Sequence, residues 1–166
     1  MLRILNQIRI LLLGSWIGAA IFFSAVVAPA AFRVLRAFDL PNANEIAGSI
    51  VTRTLSVVNT SGFIFSLILL ATAFALKETY SRRAFIVQMI LLIVVAITTG
   101  VGEWVIAAKM RGLRAAMQVP IDQVAANDPN RLAFAVLHSY SVAALGVAII
   151  ASLIVFFVIA NRVNPN

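Results

Sequence analysis

Residues 11–33, LLLGSWIGAAIFFSAVVAPAAFR, run for more than twenty positions without a charge before Arg33. At about 1.5 Å per residue, such a run crosses the roughly 30 Å hydrocarbon core of a bilayer, where the backbone must satisfy its own hydrogen bonds as a helix. This stretch decides the fold class: it is a membrane helix. The rest of the chain repeats the pattern three times.

Composition agrees with that reading. The 166 residues are 62% hydrophobic and 11% charged, against about 25% charged in a soluble domain. Thirteen Lys and Arg against six Asp and Glu give a net charge of +7. The basic residues sit at the ends of apolar runs, where they meet anionic lipid headgroups. The expected partner is therefore the lipid bilayer and not nucleic acid. The chain has no cysteine, which removes disulfides, thiolate metal sites and cysteine nucleophiles. The single histidine, His138, is too few for a zinc or bis-histidine haem site within one subunit. No cofactor or metal is expected. Arg3 and Arg9 ahead of an apolar run, with Ala28-Pro29-Ala30 beyond it, imitate a secretory signal. A signal's apolar region is about 7 to 15 residues, however, and this run is longer and is followed by further spans.

The first helix is expected over residues 8–37, with Pro29 as a kink that neighbouring helices compensate. Gly14 and Gly18 form a GxxxG pair whose face continues through Ala25 and Ala28, so a partner backbone can approach. That partner is another helix of the same bundle or a second copy in a homo-oligomer. Asn42 and Glu45 have the spacing of a capping box, which starts the second helix near Ala43. Glu45, Ser49, Arg53, Ser56 and Thr60 then form one polar stripe at helical spacing, and residues 63–76 are apolar nearly all round. A short basic turn around Lys77, Arg82 and Arg83 forces the next helix antiparallel. That third helix carries Gln88, Thr99 and Glu103 on one face and Trp104 at an interfacial position. Its basic amphipathic continuation to Pro120 can lie on a membrane surface. Asp128-Pro129 supplies an N-cap and an N1 proline for the fourth helix. That helix presents Phe134, His138, Ser141, Leu145, Ala148 and Ser152 on one face, and a polar tail follows from Asn161.

The expected architecture is all-α, a four-span bundle with spans near residues 8–32, 57–77, 84–104 and 138–160 and helical extensions beyond the bilayer on one side. Four spans place both termini on one side. The compact basic turn assigns that side to the cytoplasm of a bacterial plasma membrane by the positive-inside rule.

Counting about twenty residues from each basic anchor brings Arg33, Arg53, Glu103 and His138 to similar depth at the far end of the bundle. With Ser141 they form a candidate polar layer. Charges at such depth pair or line a wet cavity. The layer is either a clip between helix ends or a vestibule for an ion, proton or small solute. A hydrolytic site on His138 has no acid spaced to orient it, so no enzyme is expected.

The segment WIGAAIFFSAVVAPAAFRVL (residues 16–35), the Ala47-Gly48 pair and Phe134-x-x-x-His138-x-x-Ser141 resemble the transmembrane-protein-205-like family of small four-helix proteins. The resemblance implies a four-helix membrane domain and no established reaction. It draws attention to Pro29, Phe32, Gly48, His138 and Ser141, and makes Gly14, Gly18, Pro29 and Gly48 the expected packing positions. A weaker similarity is to four-helix membrane families of the copper-resistance and haem-biosynthesis type, from which the chain departs by having one histidine. Three functions stand: solute binding or transport, a scaffold without ligand, and a haem- or copper-associated protein.

Overall fold

A computed structural model describes residues 2–161. Four helices account for nearly all of them: α1 Leu2–Ala37, α2 Ala43–Ala75, α3 Arg82–Met117 and α4 Pro129–Ala160. Each is long and apolar enough to cross a membrane, and the chain is an integral membrane protein. No strand occurs among the described residues. Of the polar tail expected from Asn161, residues 162–166 lie outside the described residues.

Length sets the shape. The 33 residues of α2 reach about 50 Å at 1.5 Å each, well over the roughly 30 Å hydrocarbon thickness. Each helix therefore has a spanning half and an extension. The spanning halves share a core of Leu13, Trp16, Ile17, Ala20, Leu69, Leu92, Leu145, Ala148 and Val155. Around it, large apolar side chains such as Leu11, Phe22, Ile68, Ile93 and Ile150 face outward, which is stable where the surrounding solvent is hydrocarbon.

Trp16 fixes how closely α1 and α2 approach. Its indole Nε1 donates to the Val58 carbonyl at 2.9 Å, and a Cβ on Gly62 would come within 2.7 Å of its ring. Only glycine leaves room at that crossing. The expected GxxxG face does less. A Cβ on Gly14 would reach Phe156 of α4 at 3.4 Å, whereas one on Gly18 would meet nothing within 4 Å. Gly18 is thus not a packing position within this bundle, because the interior face of α1 is set by Trp16, Ile17 and Ala20, which lie about 100–160° around the helix from it.

The polar face expected on α3 does point inward: Gln88, Thr99 and Glu103 are all buried. So do Ser141, Leu145, Ala148 and Ser152 of α4. At the opposite end of the bundle from the extensions, Arg9 is buried and donates to Tyr80 Oη at 3.3 Å and the Leu69 carbonyl at 3.4 Å. It is therefore a clasp between α1, α2 and the turn, whereas the sequence reading treated it as a basic anchor among the headgroups.

Helix starts follow local chemistry in two cases and tertiary chemistry in a third. Ser81 Oγ accepts from the Ala84 amide at 3.3 Å. Asp128 accepts from the amides of Asn130 and Arg131 at 2.8 and 3.1 Å, with Pro129 at the first helical position. The capping box expected from Asn42 and Glu45 does not form. Asp122, in the α3–α4 connection, instead accepts from the Glu45 amide at 3.1 Å and from the Asn44 side chain. Glu45 is drawn elsewhere, to Arg114.

Two widened π-helical turns interrupt the helices, at Phe23–Val27 in α1 and Gly102–Ala107 in α3. The first lies directly before Pro29, whose missing N–H and ring crowd the preceding turn. Pro29 itself is exposed, so it shapes α1 locally and is not a contact with a neighbouring helix.

Candidate functional site

The extensions do not close on one another. That of α1 packs on α2 and that of α3 packs on α4, but α2 has little contact with Ala108–Met117 of α3. The gap is a cavity of about 450 Å³ between α2, α3 and α4. A second lobe of about 350 Å³ adjoins it, sharing Gly48, Val51, Met110, Arg114, Phe134 and His138 and reaching Phe32 of α1.

Four of the five residues expected in the polar layer meet here: Arg53, Glu103, His138 and Ser141 all line the larger lobe. Arg33 does not. It is exposed on α1 beside Pro29, Phe32 and Arg36, because successive helical residues point about 100° apart and it is Phe32 that turns toward the bundle. The layer is thus built by three helices, and α1 contributes an aromatic wall.

Glu103 forms the buried end of the site, 7% exposed. Its Oε1 accepts from Ser56 Oγ at 2.9 Å and lies 3.6 Å from an Arg111 nitrogen. Positions eight apart on a regular α-helix sit about 80° around the axis from each other. The widened turn at Gly102–Ala107 takes up roughly one extra residue. Glu103 and Arg111 then face the same way. A Cβ on Gly102, in the same turn, would come within 3.2 Å of the Asn59 side-chain nitrogen, so glycine lets that amide pack close.

Nearer the mouth, Arg114 is held on three sides. Its guanidinium bonds Glu45 at 2.7 and 2.8 Å, lies 5.5 Å over the Phe134 ring, and covers Gly48, where a Cβ would meet it at 3.4 Å. Gly48 therefore packs under an arginine and not under a helix backbone. The second Glu45 oxygen accepts from the Ile121 amide at 3.1 Å, which ties the α3–α4 connection to the mouth. Arg53 and His138 stand exposed on the rim.

Glu45, Arg111, Arg114 and Asp122 were missed as site residues. Arg111 and Arg114 were read as part of an extension lying on the membrane surface. In fact α3 continues through its widened turn as one helix from Arg82 to Met117, so the extension rises along the helix axis with both arginines toward α2. A signal was present: Ala107, Arg111 and Arg114 recur at steps of four and three, a single face that meets the polar stripe of Glu45, Ser49 and Arg53. No three His, Asp or Glu side chains cluster as metal ligands among the described residues.

A family model described as a domain of unknown function (DUF4149) matches residues 11–118. The chain belongs to the DUF4149 family. This match overturns the resemblance to the transmembrane-protein-205-like family, which rested on short runs of small and apolar residues that many membrane helices share. The DUF4149 match takes in α1, α2 and α3, hence Glu45, Arg53, Glu103, Arg111 and Arg114, and stops before His138 and Ser141 on α4. No curated protein and no solved structure matches the chain.

Proposed function

We propose that this DUF4149 protein binds a small charged or amphiphilic solute in the cavity between α2, α3 and α4, as a receptor or as one step of transport. The observation that carries the reading is Glu103: an acidic side chain only 10% exposed, at the inner end of a cavity of about 450 Å³ whose rim holds Arg53 and His138. Carboxylates at membrane depth are costly and mark solute or ion sites more often than simple packing. A volume of this size is ordinary for small-molecule sites and holds more than ten waters at about 30 Å³ each. The reading is of binding and not catalysis, since His138 makes no hydrogen bond or ion pair with an acid among the described residues. We place the protein in a bacterial plasma membrane with both termini and the Lys77–Thr79 turn in the cytoplasm, supported by the basic residues crowded at that turn.

A scaffold without ligand is the competing reading, favoured by the two ion pairs, Glu45–Arg114 and Glu103–Arg111, which clip the extensions together. Glu103→Gln and His138→Ala separate the two. For each variant, thermal stability in detergent and abundance in cells are measured beside complementation of a deletion strain. A binding site predicts lost complementation at unchanged abundance. Loss of complementation only in step with lost abundance would overturn the solute reading in favour of the scaffold.

A further inference from the structure

The cavity has one acceptor and one cation left over. Glu103 Oε1 is engaged by Ser56 and Arg111, but Oε2 is buried with no hydrogen-bond partner among the described residues. Of the three arginines that line the larger lobe, Arg111 is committed to Glu103 and Arg114 to Glu45, and Arg131 in the adjoining lobe is held by the Val124 carbonyl. Arg53 makes no ion pair or hydrogen bond among the described residues and is exposed. It precedes Ser56 by one helical turn, about 4.5 Å along the axis, and so stands one step above the carboxylate that Ser56 holds.

We propose that the cavity binds a zwitterion, a primary ammonium next to an anionic phosphate or carboxylate, with the ammonium on Glu103 and the anion on Arg53. This rests on the solute-binding reading above and names its ligand class. A buried carboxylate oxygen without a partner is expensive, and an N–H donor is what satisfies it. The terminal torsion of a glutamate is soft and roughly two-fold, so turning Oε2 toward a donor in the cavity moves both oxygens, and Ser56 and Arg111 re-engage the carboxylate through the oxygen that then faces them. A quaternary ammonium has no N–H to give, and a simple anion leaves Oε2 as it was. The remaining wall is apolar, Val51, Leu55, Met110 and Phe134, and suits a hydrocarbon or glycerol portion. Trp104, exposed beside Glu103, is placed as interfacial tryptophans are. That is the depth of a lipid headgroup. The zwitterion is then a headgroup entering from the membrane or a free solute entering from water.

The test uses the purified full chain in detergent and four probes: dihexanoyl-phosphatidylethanolamine, its choline and glycerol counterparts, and free O-phosphoethanolamine, with bound fraction read by native mass spectrometry. Ser49→Trp, at an exposed position lining the cavity, serves as a plug. The ethanolamine lipid should bind about tenfold more tightly than the choline and glycerol lipids, the scale of one hydrogen bond to a charged group. Glu103→Gln should erase that preference, Arg53→Gln should weaken binding about tenfold, and the plug should abolish it. Binding of O-phosphoethanolamine equal to that of the lipid supports the proposal with a free solute as source, and binding of the lipid alone supports it with the headgroup as source. Equal binding of all three lipids that the plug still blocks overturns the zwitterion and leaves the solute site standing. Binding to none, or binding indifferent to the plug, overturns both. The wild-type ranking decides the matter should Glu103→Gln fail to fold.

Discussion

Single side chains carry the tightest constraints in this bundle, and the closest is Trp16 against Gly62. The 2.7 Å approach that a Cβ would make to the indole leaves no rotamer to relieve it, since Trp16 is itself held by its bond to Val58. Gly62→Ala is expected to cost about 1–3 kcal/mol, as overpacking does, read as a lower unfolding temperature in detergent. Combined with Trp16→Ala the two costs should fall short of their sum, because the clash exists only while the indole is present. Gly18→Ala, with open space around it, should leave stability unchanged. The sequence singles out Gly14 and Gly18 as a GxxxG pair and gives Gly62 no packing role; only the position of one ring makes Gly62 the critical one.

Among the elements, α2 and α3 depend on parts remote in sequence. The amide that an N-cap normally satisfies is taken by Asp122, from the connection before α4. Asp122→Ala should therefore cost about 1 kcal/mol and speed hydrogen exchange at the Glu45 amide, while Asn42→Ala stays within about 0.5 kcal/mol, the range of ordinary surface changes. The opposite ranking would restore the local capping box. In α3 the widened turn sets the phase of everything beyond it. Deleting Val105 from Gly102–Ala107 should return the turn to regular α-helix and, by removing the one residue that the widened turn takes up, leave Arg111 seven positions after Glu103 and still on its face, about 20° away. Helix content by circular dichroism should hold. The coupling between Glu103→Gln and Arg111→Gln, non-additive in the native chain, should stay non-additive after the deletion, and its loss would refute the phase assigned to the widened turn. Capping and widened turns escape a sequence reading for one reason: each depends on which competing partner is nearest, and Glu45 finds Arg114 before it finds its own helix start.

The whole molecule has a direction as well as a shape. Thr79 lies exposed in the short turn and Ala126 lies exposed in the α3–α4 connection, at opposite ends of the bundle. In this cysteine-free chain, a single cysteine at Thr79 should resist a membrane-impermeant thiol reagent in intact cells, and one at Ala126 should react quickly. The reverse pattern would invert the proposed topology. The sequence by itself determined the four helices, the positions at which α2 and α4 start and the inward faces of α3 and α4, though not the start of α1, expected at residue 8 and found at Leu2, because runs of uncharged residues in lipid have no other way to satisfy their backbone and helical spacing sorts their faces. It also brought Arg53, Glu103, His138 and Ser141 to one level, since counting residues along parallel rods measures depth. Only the tertiary structure decided that Arg33 faces away, that Arg111 and Arg114 turn inward, and that α2 and α3 part to leave a cavity. Depth along a helix is linear in sequence. Rotation about its axis and separation from its neighbour are set by a widened turn, a glycine under an arginine and an indole bond, and these exist only once the helices are packed.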